Sequence, residues 1–484
     1  MRLHSNSSPL QSPADQPSAA LVTLGLLLIL VLRLGLGDFP TPIADEGGWP
    51  LSVRLWVTQG IRTPDYYVAP GYHWLQGIPF ALFGPTLRVA RLTSEVVGLV
   101  GLALFSGIVR QLQLTRVAAF WALLILGTSY QAILVDRRGL MEPLQVLWML
   151  ILVFVFLRPA TRASLIGLAV SVAGLLLTKS SAVFLIPALA LAPFWEKPIA
   201  SNGQRSKLVA LGAGMLIAGV VFGALYLTDP ITFAKGWFPT LSLEPVPRSR
   251  FFIGFGRFGF DPITAFGTIR QITLTEPLLV AYGLAGMLKG LLERRQAVMV
   301  VWLLFGSMFL LIQALVLDNH LAVIIPPLAF LTAWFLGDLR TTASAVGVGR
   351  LRMTWPSLCL LGQVLYSTLR LAGAAVTTVD PAAEAVRWLR ARVGRNDVVA
   401  ASSVVLMQLD ATPVTFFRFP PPYLPTPQGI HQPPPINWMV LDHAEWGGYM
   451  RKYDVTEADS AAAFSSCCDT VFSSPGGVVF RVRE

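Results

Sequence analysis

Apolar runs of about 20 residues recur along this chain, separated by short gaps that carry most of the charge. A helix of that length crosses roughly 30 Å of hydrocarbon with its interior backbone groups paired within itself. The runs predict spans near residues 19–37, 87–109, 115–134, 141–157, 163–178, 181–195, 208–227, 274–291, 296–317, 320–337 and 354–376. The pattern describes a polytopic α-helical membrane protein with about eleven transmembrane helices.

Three stretches interrupt it: residues 38–86, a second long outside segment at 228–273, and the C-terminal region. Residues 38–86 hold GWPLSVRLWVTQG and GYHWLQGIPFALFG, short amphipathic segments expected to lie as helices along the outer surface. Trp49, Trp56, Tyr66, Tyr67, Tyr72 and Trp74 among them suit a membrane interface. After Val376 the hydropathy drops, and PAAEAVRWLRARVG reads as a helix with Val386, Leu389 and Val393 on one face. The segments DVVAASSVVL, PVTFFRF, INWMVLD and GGVVFRVRE read as strands, with PPPYLPTPQGIHQPPP an extended loop between two of them. Residues 380–484 are therefore expected to form a small C-terminal α/β extracytoplasmic domain, residues 19–376 the transmembrane domain, and residues 1–18 a disordered cytoplasmic tail.

Composition supports this division. With 54% hydrophobic and 13% charged residues, a water-soluble multidomain enzyme does not fit. The formal charge of +10 does not gather into one basic stripe, which argues against nucleic acid as a partner. It follows the loops instead. Arg110 and Arg116, Arg158 and Arg162, Lys197, Arg205 and Lys207, Arg294 and Arg295, and Arg340, Arg350 and Arg352 all fall on one side if the N-terminus is cytoplasmic. That bias is the positive-inside pattern, and it places the C-terminal region outside a cell inner (cytoplasmic) membrane. The first span lacks a small-residue cleavage site and reads as a retained helix. Of three cysteines, Cys359 lies in a span and Cys467 and Cys468 are neighbours, so no disulfide framework is implied.

The same topology collects charge on the outer side: Asp45 and Glu46, then Asp136, Arg137, Arg138 and Glu142, then Lys179, then Asp318, Asn319 and His320. Ionisable groups at a membrane are costly, so such a cluster marks a candidate site. Transfer of a phosphate-linked sugar needs these types of group, a base for the acceptor hydroxyl and positive charge for the departing phosphate.

The order of several motifs adds a resemblance. IADEGG after the first span, YHWLQGIPFALFG followed by RVARLTSEVVGLV, DRRGLMEPLQVLWML, GLLLTKSSAVFLIPALAL and DNHLAVIIPPLAFL resemble the integral-membrane GT-C glycosyltransferases over roughly residues 20–340. The similar branch is the bacterial one related to protein O-mannosyltransferases, aminoarabinose transferases and rhizobial lipopolysaccharide glycosyltransferases. The resemblance implies an inverting transfer from a polyprenyl-phosphate sugar donor to a glycan, lipid or protein acceptor. It makes Asp45 the catalytic base, with Glu46 beside it.

It also implies roles for other residues, each with a plainer alternative. Glu142 is a metal ligand or sugar contact, or else an acidic cap ahead of Pro143. Arg137 and Arg138 bind the donor phosphate or anchor their helix at headgroups. Lys179, in a TKSS turn, contacts phosphate or snorkels. His320, opening a span that contains Pro326 and Pro327, is a donor-phosphate contact or an interface hydrogen-bonder. His73 is a metal ligand or an interface residue, although the relatives' His-Pro pair is here His73-Trp74. A divalent ion (Mg, Mn or Zn) is the one cofactor the resemblance leaves open. A transporter or flippase of lipid-linked glycans is the rival class, expected to show broken helices and mid-membrane polar residues.

Overall fold

The computed structural model describes residues 17–35, 44–195, 203–237, 262–312, 318–342 and 355–377, with shorter stretches inside 251–258, 346–353, 382–409, 415–418, 437–442 and 468–482. The proline-rich stretch 420–435, nearly all of the predicted tail, Cys467 and the side chains of Asp45 and Glu46 lie outside the described residues. In chain order the first helices are α1 (Ala19–Leu34), α2 (Ala44–Gln59), α3 (Pro64–Val68), α4 (Pro70–Phe83), α5 (Leu87–Gln111), α6 (Arg116–Thr128) and α7 (Tyr130–Asp136). Next come α8 (Glu142–Phe156), α9 (Arg162–Thr178), α10 (Leu185–Trp195), α11 (Gln204–Thr228), α12 (Pro230–Trp237), α13 (Pro262–Thr275) and α14 (Pro277–Glu293). The last are α15 (Ala297–Ile312), α16 (Ile325–Thr342), α17 (Trp355–Thr377), α18 (Ala383–Arg390) and α19 (Ser403–Gln408).

Within the described residues the predicted spans fall mostly on helix, although 181–195 and 320–337 each begin in a 3-10 turn, and residues 36–37 and 313–317 lie outside the described residues. By length and composition, however, four helices among the described residues are long and apolar enough to cross a membrane alone, or five if the bent pair α6–α7 is one span. Helices of 10–17 residues, α1, α8, α9 and α15 among them, are apolar but shorter. Local signals explain several boundaries. Ser18 caps α1 by accepting from the Leu21 N–H at 3.2 Å, and Thr161 and Ser164 form a capping box at the start of α9. Helix α13 was not expected, because PITAFGTIRQITLT has too little apolar length to read as a span.

The contacts divide the chain into two compact units. The first comprises residues 1–37, 95–136 and 142–373, and its core runs through Phe105, Ile125, Met149, Leu175, Trp302 and Phe330. Large apolar side chains elsewhere are open, such as Leu227, Leu292 and Val376 at 77–84% exposure, as a lipid-facing surface requires. Small residues set the helix spacing. A side chain at Gly286 would meet the Leu331 backbone carbonyl of α16, and one at Gly214 would meet the Ala169 carbonyl of α9. Gly286→Ala is therefore expected to cost about 1–3 kcal/mol, because the obstacle is backbone that cannot rotate away. Gly212→Ala, with nothing near the added carbon, should hold or raise the melting temperature. Equal melting temperatures in detergent would contradict this packing.

The second unit comprises residues 38–94, 137–141 and 374–484. Its sheet has the order β6-β5-β7-β9-β8, formed by β5 (Val398–Ala401), β6 (Thr415–Arg418), β7 (Trp438–Asp442), β8 (Cys468–Ser474) and β9 (Gly477–Val482). Strand β5 pairs in parallel with β6 and β7, while β9 runs antiparallel to β7 and β8. The hairpins β1–β2 (Phe251–Ile253, Gly256–Phe258) and β3–β4 (Val346–Val348, Leu351–Met353) belong to the first unit as separate two-stranded sheets. The predicted strand DVVAASSVVL splits into β5 and α19, and β8 was not foreseen. Helix α2 packs on α19, where Arg54 Nη1 donates to the Leu406 carbonyl at 3.3 Å. The C-terminal residues thus form one unit together with residues 38–94. Tyr66, Tyr67 and Tyr72 of that segment point inward at 2–4% exposure, as a core rather than an interfacial belt.

Candidate functional site

In the first unit the predicted site residues Glu142, Lys179 and His320 converge. Glu142 opens α8 ahead of Pro143, a residue tolerated in a first turn, and is 2% exposed. Lys179 ends α9 with extended backbone, and Asn319 and His320 come from the 3-10 turn Asp318–Ile324 that precedes α16. Glu142 Oε1 accepts from the Lys179 ammonium in an ion pair and from Asn319 Nδ2 at 2.7 Å, with His320 Nε2 at 3.9 Å. Its capping position and its place in the cluster are compatible. One ammonium N–H meets Glu142, which leaves two further donors on a group that is not snorkelling to solvent.

Four oxygens on these elements are buried without a hydrogen-bond partner among the described residues: Glu142 Oε2, Gln145 Oε1, Thr178 Oγ1 and Asn319 Oδ1. Buried polar atoms are nearly always satisfied, so a concentration of bare acceptors beside donors is the mark of a ligand or water site. Gln145 and Thr178 carried no sequence signal beyond their adjacency to Glu142 and Lys179. No group of three or more His, Cys, Asp or Glu side chains among the described residues could hold a metal ion. A divalent cation at Glu142 would also compete with Lys179, so this donor set does not fit a metal.

A second buried pair in this unit was missed by sequence reasoning. Arg33, on α1, pairs with Asp136 at the end of α7, and its Nε donates to the Gly127 carbonyl at 3.2 Å. Gly98 faces them from α5, and a side chain there would overlap the Asp136 carboxylate. An arginine inside an apolar run was the available signal. An apolar slot lined by Gly98, Gly101, Val146, Leu150 and Pro326 adjoins the pair.

In the second unit Arg137 and Arg138 are buried at 4% and 7% exposure, so they are not loose headgroup anchors. Their loop is held by Tyr72, whose hydroxyl donates to the Gly139 carbonyl at 3.0 Å. Arg138 Nε has no acceptor among the described residues. Asp45 and Glu46 occupy the first turn of α2. His73 is fully buried, and both ring nitrogens are engaged: Nδ1 donates to the Ala69 carbonyl at 2.9 Å, and Nε2 accepts from Ser52 Oγ at 2.7 Å. Neither nitrogen has a lone pair to give a metal in this arrangement.

Burial lowers the His73 pKa to about 4, against its hydrogen bond to Ala69. The folded protein therefore holds this imidazole neutral while the unfolded chain protonates near 6.5. Its contribution to stability is complete above about pH 6.5 and is lost as pH falls toward 4, in total about 3 kcal/mol. The fall in melting temperature between roughly pH 7.5 and roughly pH 4.5 should be shallower in His73→Gln than in wild type. An unchanged slope would mean other groups carry the acid sensitivity.

Comparison with known proteins adds to this geometry. Residues 67–226 match the family model described as dolichyl-phosphate-mannose-protein mannosyltransferase. No curated protein matches the sequence significantly. Among solved structures, ArnT from Cupriavidus metallidurans bound to undecaprenyl phosphate is similar at a TM-score of 0.67 and 14% identity, covering 96% of this chain and 98% of its own. The Archaeoglobus fulgidus oligosaccharyltransferase in its apo form is similar at a TM-score of 0.54 and 13% identity, covering 96% and 74%. The chain thus has the fold of the ArnT and oligosaccharyltransferase structures, with helices long and apolar enough to cross a membrane.

Proposed function

We propose that this protein transfers a sugar from a polyprenyl-phosphate carrier to a glycolipid, cell-envelope glycan or protein acceptor on the outer face of the cytoplasmic membrane, by single displacement with inversion. The observation that carries the reading is the buried group around Glu142, where ammonium and amide donors stand beside four bare oxygens. A sugar phosphate presents the complementary chemistry, hydroxyl donors and an anion. The similar ArnT structure binds undecaprenyl phosphate, in keeping with a lipid-linked donor.

In this reading Asp45 takes the acceptor's proton and Glu46 supports it electrostatically. Arg137, Arg138, Lys179 and His320 stabilise the leaving phosphate, and the bare Nε of Arg138 is a donor in need of such an anion. Glu142 orients Lys179 and accepts from the sugar. A lipid-linked donor is read in place of a soluble nucleotide sugar because the loop charges place the candidate site on the outer side.

One observation favours the rival class. The span formed by α6 and α7 is bent by 53° at Ser129, and broken helices are a device of transporters. Purified protein in liposomes with a radiolabelled polyprenyl-phosphate sugar separates the two. Label moving into an acceptor glycan supports transfer; label crossing the bilayer while still attached to its carrier supports transport and overturns it.

A further inference from the structure

The break at Ser129 takes backbone groups on both sides out of the helical ladder, inside an apolar helix pair bent by 53°. On the carbonyl side, the last turn of α6, Arg33 donates to the Gly127 carbonyl at 3.2 Å while pairing with Asp136. On the amide side, the first turn of α7, Glu276 Oε1 accepts from the Gln131 N–H at 3.2 Å and from Ser129 Oγ at 2.7 Å. Ser129 Oγ in turn accepts from the Ala132 N–H at 3.2 Å, as an N-cap does. A cation therefore meets the negative end of one half-helix and an anion the positive end of the other.

Glu276 is 0% exposed, and each of its partners is a donor. Besides Ser129 and Gln131, its Oε2 accepts from Gln363 Nε2 at 2.5 Å and from Ser367 Oγ at 3.0 Å, both on α17. Gln363 gives its other N–H to Ser367, and its oxygen accepts from the Leu279 N–H of α14, which fixes its orientation. A fully buried carboxyl group with no cation beside it among the described residues is expensive to keep, so its retention calls for a role. The helix it sets in place supplies one. Helix α7 packs on the 3-10 turn Asp318–Ile324, which carries Asn319 and His320 to Glu142.

We propose that Glu276 is a positioning residue: with Arg33 it holds the break at Ser129, and the break sets α7 and, through it, the turn that delivers Asn319 and His320 to Glu142. The effect on ligand rests on the sugar-transfer reading of the Glu142 group; the effect on α7 does not. Glu276→Gln keeps the size but turns an N–H₂ group toward two of the four donors.

The test uses the full chain in lipid nanodiscs. In Glu276→Gln, amide exchange over residues 130–136 should rise about tenfold or more, while α9 and α11 keep wild-type protection. Binding of a short-chain polyprenyl phosphate should weaken about tenfold at an unchanged melting temperature, and Glu276→Asp should recover part of it. Unchanged exchange at residues 130–136, or a uniform rise throughout, overturns the clamp. Raised local exchange with wild-type binding overturns the positioning role. If the wild-type protein itself binds no polyprenyl phosphate, the sugar-transfer reading fails, and the exchange result still decides the clamp. Should Glu276→Gln not fold, Ser129→Ala removes one partner only, and it must raise exchange at the same residues for the clamp to stand.

Discussion

Asp45→Asn is expected to lower sugar transfer at least about 10²-fold, the lower end for loss of a general base. Asparagine keeps the volume and the hydrogen-bonding ability that suit the start of a helix, so α2 should form as before. The melting temperature should stay near wild type. The plain alternative is an acidic residue placed in the first turn of α2 only for the helix dipole, an effect of about 0.3–1 kcal/mol on stability and nothing on turnover. Glu46→Gln, one position on in the same turn, separates the two. If both substitutions leave transfer within about threefold of wild type, Asp45 is not the base.

What the sequence revealed follows the physics of each signal. Span positions were legible because apolar length is dictated by bilayer thickness, and helices α5, α11 and α17 fall within a few residues of the reading. The break at Ser129 was not, since LGTSYQAIL contains no proline and its short polar run GTSYQ was absorbed into one predicted span. Its two charged clamps sit within apolar runs, Arg33 in VLRLG and Glu276 in LTEPLL, where a pattern of span and gap absorbs them. In the first loop the tyrosines could have faced lipid headgroups or a core with equal ease. Their burial around His73 depends on tertiary contacts, such as Tyr66 lying edge-on to His73 at 5.3 Å. The cluster at Glu142 was half visible: the charged members announced themselves, while Gln145 and Thr178 are ordinary polar residues until burial leaves their oxygens bare. The bend between α6 and α7 is one of the features expected of the transporter reading, and no residue pattern announced it.

Lys179→Met should both destabilise the protein and abolish transfer, and the two effects can be taken apart. Glu142 and Lys179 are paired with side-chain exposures of 3% and 15%, so removing the cation strands a buried carboxylate. Such a loss typically costs about 3–5 kcal/mol, far more than the pair contributes relative to well-packed neutral residues. Combining Lys179→Met with Glu142→Gln removes the stranded charge, and most of the lost stability should return. Transfer should not return, because the double variant has neither the ammonium for the phosphate nor the carboxylate that aims it, and activity is expected to stay about 10²-fold or more below wild type. A purely structural ion pair makes the opposite prediction: once the double variant melts near wild type, its turnover should recover as well. Measured side by side in one reconstituted preparation, recovery of stability together with transfer would remove Lys179 from the proposed chemistry, whereas recovery of stability alone assigns the pair to the substrate.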